Sequence, residues 1–398
     1  MLVVVETHPV QYHAPVYRTL ARQFGLPVTV LYGSDFSVAG YYDRQFAADF
    51  AWDSDLLAGY KCSFLSRVSD GGARCVEQVS ARGIGNALQS LDAKVLLVLG
   101  YSPVFYARTL YEAWRRGYAI LFRGETNDQA RRRGLLKSSS RSIGLRWMYR
   151  RCARLLYIGE RSRGHFMRLG CPEEKLVFSP YCVDTSTFQW DEGARTRVRA
   201  EVRQRLGIGG DDIALLFSGK LVPGKRPDLV LRAVKELAPE IRTRIVVVFM
   251  GSGEARDALE LLGRQSPSVR VQFLGFQNQR ALSQYYQSAD LLVHPSLSET
   301  WGLVINEALH HGVPCVVSDA VGCAPDLVQP GVTGEVFSAA SPGALTLALE
   351  RALGLVGRAE IRERCREKVA GYTVEKAAEG IAQAYWEVVE GNPCPSVC

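Results

Sequence analysis

The chain has 398 residues, of which 47% are apolar and 22% are charged, so it can build two domains with ample cores and does not resemble disordered or fibrous proteins. The formal net charge is +7, and no apolar run approaches the roughly 20 residues that a membrane-spanning helix needs. The ten cysteines are scattered in mostly apolar surroundings and the first residues lack a secretory pattern, which together favour reduced thiols in a cytoplasmic protein.

The chain opens with two apolar runs separated by a polar turn and a helix. Leu2–Val5 and Val28–Tyr32 are typical of buried parallel strands, and a helix is predicted from about Ala14. This order predicts the start of a doubly wound α/β domain. His8 and His13 lie in the turn, where each either caps and packs the turn or contacts a substrate, and a lone histidine does not decide between these roles.

An unusually long connection follows, from Gly33 to about Phe64. It carries the aromatic residues Tyr41, Tyr42, Phe46, Phe50, Trp52 and Tyr60. Long loops in a compact domain are often functional, and aromatic rings can stack on sugars or cover apolar groups. We interpret this loop either as a lid over a bound substrate or as a satellite cluster that packs over the sheet.

Two further buried strands are predicted at Val95–Leu99 and Ala119–Phe122. Arg123 and Glu125 follow the second of these strands directly. They therefore lie at the carboxyl edge of the predicted sheet, where the ligand crevice of such folds is found.

Basic residues are concentrated in one stretch of the first half. From Arg108 to Arg168 there are sixteen Lys or Arg and four Asp or Glu, an excess larger than the net charge of the whole chain. Arg131–Arg133 and the segment Arg141–Arg154, with its interleaved apolar residues, predict a basic amphipathic helix. Either this segment contacts an anionic membrane surface or an anionic acceptor, or it is a solvated helix face. No nucleic-acid-binding motif accompanies the charge, so nucleic acid is not predicted as a partner.

The second half opens with a strand that ends in a glycine turn bearing two lysines. Ala214–Phe217 is followed by Gly219, Lys220 and, five positions after Lys220, Lys225. Lysines at a strand end bring point charges to a diphosphate, and a solvated surface is the alternative. The next strands predicted are Ile245–Met250, which runs into Gly251, and Val271–Phe276.

A strand–helix–strand unit is the most distinctive part of the sequence. Ala289–Val293 and Cys315–Ser318 are the strands, and apolar residues at helical spacing between them predict a helix that Gly312 can close. Such a unit places residues 296–303 at the carboxyl ends of the strands, where free backbone amides and the positive helix end face any anion. A phosphate-bearing ligand is therefore predicted here.

Two glutamates accompany this helix. Glu299 comes just before it and Glu307 about two turns inside it, so they do not form the close carboxylate pair of a hydrolase. Two separated carboxylates suit two separate sets of hydroxyl groups. This arrangement predicts a ligand that has a diphosphate between a ribose and a sugar.

Glu299 and Glu307 also form the pattern E-x7-E, and ETWGLVINEALHHGVPCVVSD resembles the signature of the retaining glycosyltransferases of family 4 along its whole length. Supporting matches lie upstream in FSGKLVPGKRPDLVLRAV, FMGSGEARDAL and FLGFQNQRALSQYYQSADLLVHPS. The resemblance is close over residues 210–340 and loose in the N-terminal half. It implies an α/β GT-B fold, with two Rossmann-like doubly wound domains that face a central cleft. The implied domains are 1–188 for the acceptor, 189–375 for the donor, and 376–398 as a helix that crosses back to the first domain plus a frayed tail.

The resemblance further implies transfer of a hexose-type sugar from a nucleotide diphosphate donor, UDP favoured and GDP next, with retention at the anomeric carbon. The acceptor is not identified and could be a glycan, a lipid-linked or a small molecule, within polysaccharide or glycoconjugate biosynthesis. The residues that we assign to catalysis are Glu299, Lys220, Lys225, Glu125 and His13. Those assigned to the donor are Gly219, Lys220, Lys225, Gly251, Phe276, Glu299, Thr300, Trp301, Gly302, Leu303 and Glu307. Those assigned to the acceptor are His8, Gln11, His13, Trp52, Arg123 and Glu125. No metal ion or other cofactor is expected, because the lysines and the helix end would take a cation's role.

The chain departs from the usual pattern of the resembling family at three places. Where many members have a glycine-rich turn after the first strand, this chain has side chains, including His8 and His13. Where many have a histidine that orients the transferred sugar, this chain has Glu125, and Lys220 stands where an arginine is common. The roles of Glu125 and His13 are therefore open.

Two other functions fit the same sequence. One is different nucleotide-sugar chemistry on this fold, such as epimerisation or transfer to sulfur, selenium or phosphate. The other is a non-catalytic nucleotide-sugar-binding protein whose basic face organises a membrane assembly. The retained pairs of glutamates and lysines argue against the second, because a chain without catalysis has no physical need for all four. The expected location is cytoplasmic, peripheral at the inner membrane face if the basic helix binds lipid, and the sequence does not predict an oligomeric state.

Overall fold

The computed structural model describes residues 1–43, 48–50, 55–125, 135–188, 191–341 and 343–391. The chain forms two compact units: Met1–Tyr41 and Phe50–Asp184 with Tyr372–Cys398, and Thr185–Gly371 with Tyr42–Asp49. The domain limits drawn from the sequence fall after residues 188 and 375.

The elements up to residue 178 mostly belong to the first unit. In chain order they are β1 (Leu2–Glu6), α1 (Ala14–Arg22), β2 (Val28–Tyr32), β3 (Tyr41–Asp43), β4 (Ala48–Phe50), β5 (Lys61–Phe64), α2 (Ile84–Ser90), β6 (Val95–Val98), α3 (Val104–Arg115), β7 (Ala119–Arg123), α4 (Leu135–Arg150), β8 (Arg154–Tyr157), α5 (Glu160–Arg168) and β9 (Leu176–Phe178). β3 and β4 form a separate two-stranded sheet.

The remaining elements form the second unit, apart from the last helix. In chain order they are α6 (Glu192–Arg205), β10 (Ile213–Ser218), α7 (Pro227–Lys235), α8 (Pro239–Arg242), β11 (Ile245–Met250), α9 (Arg256–Arg264), β12 (Arg270–Gly275), α10 (Gln279–Ser288), β13 (Leu291–His294), α11 (Leu303–His310), β14 (Cys315–Ser318), α12 (Ala324–Leu327), β15 (Gly334–Phe337), α13 (Ala344–Leu353), α14 (Ala359–Val369) and α15 (Val374–Val389).

Each unit is built on one parallel sheet. The first has the strand order β5-β2-β1-β6-β7-β8-β9, and the second has the order β12-β11-β10-β13-β14-β15. The order reverses beside β1 in the first sheet and beside β10 in the second. In such sheets the ligand crevice lies at the carboxyl ends of the strands, at the point of reversal. The predicted α/β fold with two Rossmann-like units is confirmed.

The strand sequences explain why both faces of the first sheet are covered. Side chains alternate between faces along a strand, so a strand buried on both sides is apolar at every position. In β1, Val3 and Val5 enter one core, whereas Leu2 and Val4 enter the other. α15 covers the second face with small residues, and Gly380 lies so close to β9 that a Cβ there would overlap the carbonyl oxygen of Phe178.

Two expectations about elements were wrong, and one strand was missed. The long connection after β2 is not a loop throughout, because Lys61–Phe64 pairs with β2 as an edge strand of the parallel sheet. The edge strand β15 was not predicted, because the short sequence of Gly334–Phe337 is not a continuous apolar run. The basic helix α4 ends at Arg150, and Arg154 already belongs to β8. Within the described ranges, no helix is both long enough and apolar enough to cross a membrane.

Candidate functional site

The carboxyl ends of the strands of the second sheet bring together most residues that the sequence assigned to a donor. Gly219, Gly251 and Phe276 directly follow β10, β11 and β12, and the segment 295–302 follows β13. Backbone hydrogen bonds link these ends, since the amide of Gly219 donates to Met250 O at 2.9 Å and the amide of Gly251 donates to Gly275 O at 2.9 Å. The loops after β10 and β13, on the two sides of the point of reversal, are joined by Leu297 N and Gly224 O at 2.9 Å.

Glycine is required at the turn after β11. Gly251 has φ of +144°, and a Cβ there would overlap the carbonyl oxygen of Gly219. The close approach of two backbones therefore excludes any side chain at this position. By contrast, a Cβ on Gly219 would meet open space, so the surface beside Lys220 is accessible to a ligand.

The start of α11 presents backbone amides without a side-chain cap. Gly302 precedes the helix in the left-handed region, with φ of +105°. The loop before it is held by the next loop along the sheet, because Cys323 N donates to Trp301 O at 2.9 Å and Glu299 forms a parallel bridge with Val321. The indole of Trp301 is buried and donates to Asn306 Oδ1 at 2.8 Å, so this side chain anchors the loop. An anion could approach the amides of residues 300–303.

Glu299 is held by two donors. Lys225 Nζ donates to Glu299 Oε2, and His294 Nε2 lies 3.2 Å from the same oxygen. Burial and the charge of Lys225 hold the pKa of His294 well below its ordinary value, so the imidazole is neutral and Nε2 carries the proton that Glu299 accepts. The carboxylate is thereby fixed at the end of β13, next to the start of α11.

Lys225 is a cation that its surroundings make easier to deprotonate. Burial, followed by the charge of Lys220, lowers the pKa of Lys225 to about 8. Lys220 and Lys225 flank the same turn, so positive charge is concentrated beside the start of α11.

Glu307 lies deeper in the unit, with 3% of its surface exposed. The hydroxyl of Tyr286 donates to Glu307 Oε2 at 2.6 Å and lies 3.0 Å from Ser218 Oγ at the end of β10. Burial raises the pKa of Glu307 to about 7, although the hydrogen bond from Tyr286 acts in the lowering direction. Because α11 begins only at Leu303, Glu307 is about one turn inside the helix, and the expectation of two turns was wrong.

A second polar cluster lies at the carboxyl edge of the first sheet. Glu6 ends β1 with its side chain buried, and its Oε1 lies 2.6 Å from His13 Nδ1. Tyr17 donates to Glu6 Oε2 at 3.0 Å. The imidazole of His13 stacks on Tyr181, with the ring centroids 5.9 Å apart and the planes 10° apart. The carboxylate of Glu6 thus fixes Nδ1 as the protonated nitrogen of His13 and leaves Nε2 for another partner.

The other residues assigned to the acceptor differ in their surroundings. Arg123 is buried and donates to Ser179 O at 3.2 Å and Pro180 O at 2.7 Å, so it holds the segment after β9. Glu125 lies within electrostatic range of His13 and Arg123, and although part of its surface is exposed, loss of hydration raises the pKa of its carboxyl group. His8 stacks on Phe36 at 4.4 Å, and burial lowers the pKa of His8 to about 4, which favours the packing role.

The two remaining residues assigned to the acceptor are Gln11 and Trp52. No described residue makes a hydrogen bond to the buried Oε1 of Gln11. Trp52 and Phe46 lie outside the described residues. Of the aromatic connection, Tyr60 packs in the first unit's core and makes a 2.8 Å hydrogen bond with Tyr32, which favours the packing interpretation for this residue.

Sequence analysis missed Glu6, Tyr286 and His294. Glu6 and His294 each end a buried strand with a polar side chain, and that signal could have found both. Tyr286 had no local signal, because its role depends on a contact with Glu307 across the fold. Among the described residues, no group of three or more His, Cys, Asp or Glu could hold a metal ion.

Comparison with known proteins fits this geometry. Residues 198–370 match the family "Glycosyl transferases group 1". This segment, less than half of the chain, is similar to the group 1 glycosyltransferases. It contains every residue that forms the carboxyl-edge cluster of the second unit.

Named relatives share part of the chain. A D-inositol 3-phosphate glycosyltransferase of Streptomyces coelicolor is 37% identical over 161 residues, which are 38% of this chain and 35% of that protein. The protein of the same name from Frankia alni is 34% identical over 245 residues, 56% of each chain. The chain therefore spans about a third to a half of the length of these relatives.

Solved structures share the whole fold. HepE of Anabaena, solved in complex with UDP, matches 96% of this chain over 99% of its own length, with a TM-score of 0.70 and 15% identity. Sucrose-phosphate synthase of Thermosynechococcus elongatus matches 98% of this chain over 100% of its own length, with a TM-score of 0.68 and 15% identity. At such identities the likeness shows the fold alone, which is the GT-B type.

Proposed function

We propose that this protein transfers a sugar from a nucleotide diphosphate sugar to an acceptor, with retention at the anomeric carbon. The observation that carries the proposal is the pairing of Lys225 with Glu299 beside the uncapped start of α11, within a segment similar to the group 1 glycosyltransferases. We favour UDP as the nucleotide, with GDP next, and HepE, whose structures contain UDP and UDP-glucose, supports this order.

The second unit would bind the donor. Lys220, Lys225 and the amides of residues 300–303 would stabilise the negative charge that develops on the departing diphosphate. Glu299 would accept hydrogen bonds from hydroxyls of the transferred sugar, and Glu307 would accept them from the ribose. Because these groups neutralise the leaving group, the proposal needs no metal ion.

The fixed position of Glu299 supports a front-face displacement. A carboxylate that already accepts from Lys225 and His294 is a weaker nucleophile than a free one, so we do not assign it a covalent intermediate. The acceptor hydroxyl would instead attack on the face that the diphosphate leaves, and its proton would pass to the departing phosphate.

The first unit would bind the acceptor. The Nε2 atom of His13 can accept a hydrogen bond from a hydroxyl, because Glu6 fixes the proton on Nδ1. Glu125, within electrostatic range of His13, would add a second contact. The named relatives match only part of their length, so their acceptor is not carried over to this chain.

The first test is a thermal stabilisation screen with UDP, GDP, ADP and their common sugar conjugates. We expect UDP and one UDP-sugar to raise the melting temperature, because a ligand that binds only the folded state at about a hundred times its dissociation constant stabilises by about 2.7 kcal/mol. No shift with any nucleotide would contradict the donor site. Product analysis with the selected donor then separates transfer from epimerisation, and a complete lack of turnover with any acceptor would favour the non-catalytic alternative.

A membrane surface is a second proposed partner, supported by α4. Leu145 and Met148 of this helix enter the core, whereas Ile143 and Trp147 are 72% and 51% exposed. The guanidinium of Arg151 lies 3.7 Å over the Trp147 ring. Exposed apolar side chains among arginines are typical of helices that bind anionic lipid surfaces. The described part of the predicted basic segment begins at residue 135, and residues 131–134 lie outside it.

We expect the protein to sediment with vesicles that contain anionic lipid at low salt and to be released at raised salt, because screening weakens surface attraction. Trp147→Ser should reduce sedimentation, and the matched control Tyr111→Ser, at an exposed position of α3, should reduce it less. Equal sedimentation with neutral vesicles, or none with anionic ones, would leave α4 as a solvated face.

A further inference from the structure

A cavity of about 230 Å³ lies in the second unit, at the amino edge of its sheet. Ala289 and Asp290 precede β13 and line it, as do Gly312 and Pro314, which precede β14. The remaining walls come from α6 and from the start of α14. The strands run from this cavity towards the carboxyl edge, so it is separate from the donor site proposed above.

The lining of this cavity carries more positive than negative charge, although Arg358 is paired with Glu360 just outside the lining, at 3.0 Å. It contains four arginines, Arg195, Arg199, Arg358 and Arg362, and one carboxylate, Asp290. Asp290 is already engaged, because Arg199 donates to it at 2.5 Å and Arg203, behind the wall, donates to it at 2.9 Å.

One further carboxylate, Glu192, is shared among three guanidinium groups. It lies 3.4 Å from Arg195, 3.2 Å from Arg362 and 3.5 Å from Arg366. Arg366 has a second partner in Glu363, at 3.9 Å, which leaves Glu192 as the carboxylate shared by Arg195 and Arg362. The local field around Arg195 and Arg362 therefore remains positive.

Two of the arginines that line the cavity have a guanidinium N–H group for which the described residues offer no acceptor. These are the buried Nε atoms of Arg195 and Arg362. The side chain of Arg195 is only 9% exposed. Burial and the nearby charge of Arg362 lower the pKa of Arg195. A buried charged donor without an acceptor is costly, and the cost is removed if an anion binds.

The start of α14 adds backbone donors to the same place. The helix has 11 residues, begins at Ala359, and has no side-chain cap from Arg358, which precedes it in extended conformation. Gly357, Arg358, Ala359 and Ile361 line the cavity. The first amides and the positive end of the helix macrodipole thus lie beside the arginines.

We propose that this cavity is a binding site for a small phosphate-bearing anion, either inorganic phosphate or a small phosphate ester. Arg195 and Arg362 would supply charge-assisted hydrogen bonds, and the start of α14 would supply amides. The volume lies below the roughly 300–1,000 Å³ of pockets for drug-sized ligands, which suits a ligand of a few atoms around one phosphate. This site does not depend on the donor function proposed above.

Titration calorimetry of the full chain with inorganic phosphate, in phosphate-free buffer at constant ionic strength, tests the proposal. We expect Arg362→Gln to bind phosphate at least tenfold more weakly, and Arg358→Gln, at a half-exposed position, to bind it severalfold more weakly. Two variants should keep the phosphate binding that Arg362→Gln loses. Arg364→Gln is the matched control, exposed on the same helix, and Lys225→Ala removes a cation of the proposed donor site.

The outcomes separate this site from the donor site. Loss of phosphate binding in Lys225→Ala, with retention in Arg362→Gln and Arg358→Gln, would place the ion at the carboxyl edge and overturn the proposal. Absence of phosphate binding to the parent at millimolar concentration would also overturn it. A parallel titration with glycerol 3-phosphate distinguishes inorganic phosphate from a phosphate ester as the ligand. If glycerol 3-phosphate binds more tightly than inorganic phosphate, the site is assigned to an ester. A failure of UDP to bind would leave these results unchanged.

Discussion

Lys225→Ala is expected to lower the turnover of the selected UDP-sugar by about 10²–10³-fold while changing its KM by a few-fold at most. The reason is that the lysine would stabilise charge that grows on the diphosphate only as the glycosidic bond breaks. The substitution also removes one of the two donors that the described residues supply to Glu299, and His294 would be the other. Turnover is measured as release of UDP from the donor, and Lys235→Ala, an exposed lysine on α7, is the control for loss of a charge.

The pH dependence provides an independent readout of the same group. Burial and Lys220 lower the pKa of Lys225 to about 8, so this lysine is charged below that pH and loses its charge as the pH rises through it. Turnover of the parent should therefore fall on the alkaline side of about pH 8. Lys225→Arg keeps its charge at every accessible pH and should lack this alkaline limb. Parent-like turnover in Lys225→Ala would refute the role of Lys225.

The buried strands were the part of the fold that the sequence made easiest to predict. Val28–Tyr32, Ile245–Met250 and Cys315–Ser318 have the bounds that were expected. Each is a largely apolar run between turn residues, because a parallel strand in the middle of a sheet is covered on both faces. The edge strands β5 and β15 pair on one side only, and their mixed sequences carry no such run.

For the site, local sequence patterns predicted the charged residues but not the side chains that hold them in position. Lys225 and Glu299 were each predicted as donor residues, but their ion pair joins loops after β10 and β13 and appears only in three dimensions. The same is true of Tyr286 with Glu307 and of Glu6 with His13. The proposed anion-binding cavity is a further case, because Arg195 and Arg362 belong to helices far apart in the chain.

Glu307→Gln is expected to weaken donor binding and to make the folded protein more stable at alkaline pH. Loss of a charged acceptor for the ribose hydroxyls should cost about 1.5–3 kcal/mol of binding free energy, or roughly ten- to a hundredfold in affinity. The opposite effect on stability arises because burial raises the pKa of Glu307 from its ordinary 4.5 to about 7. A charge that is disfavoured in the folded state but not in the unfolded state lowers the free energy of unfolding.

The contribution of Glu307 to the free energy of unfolding changes with pH. Below about pH 4.5 Glu307 is protonated in both the folded and the unfolded state and does not change stability. Between about pH 4.5 and pH 7 it is ionised in the unfolded state but still protonated in the folded state. The parent therefore loses stability as the pH rises through this range. Above about pH 7 the loss is complete, on the order of 3 kcal/mol for a shift of this size. The glutamine variant does not titrate at this position. Its advantage in free energy of unfolding over the parent should therefore be larger by about 2 kcal/mol at pH 8 than at pH 5.

Urea unfolding and UDP titration at pH 5 and pH 8 measure both effects on the same samples. Glu254→Gln, which removes an exposed carboxylate of the same unit, is the matched control and should change neither quantity. Donor affinity of the parent should itself fall as the pH drops below about 7, because Glu307 then becomes protonated, and the affinity of Glu307→Gln should not follow this fall. If Glu307→Gln binds UDP as tightly as the parent at pH 8, Glu307 is not the ribose ligand. If its stability advantage does not grow with pH, the carboxyl group is already ionised at low pH in the folded protein, and the hydrogen bond from Tyr286 then outweighs the cost of its burial.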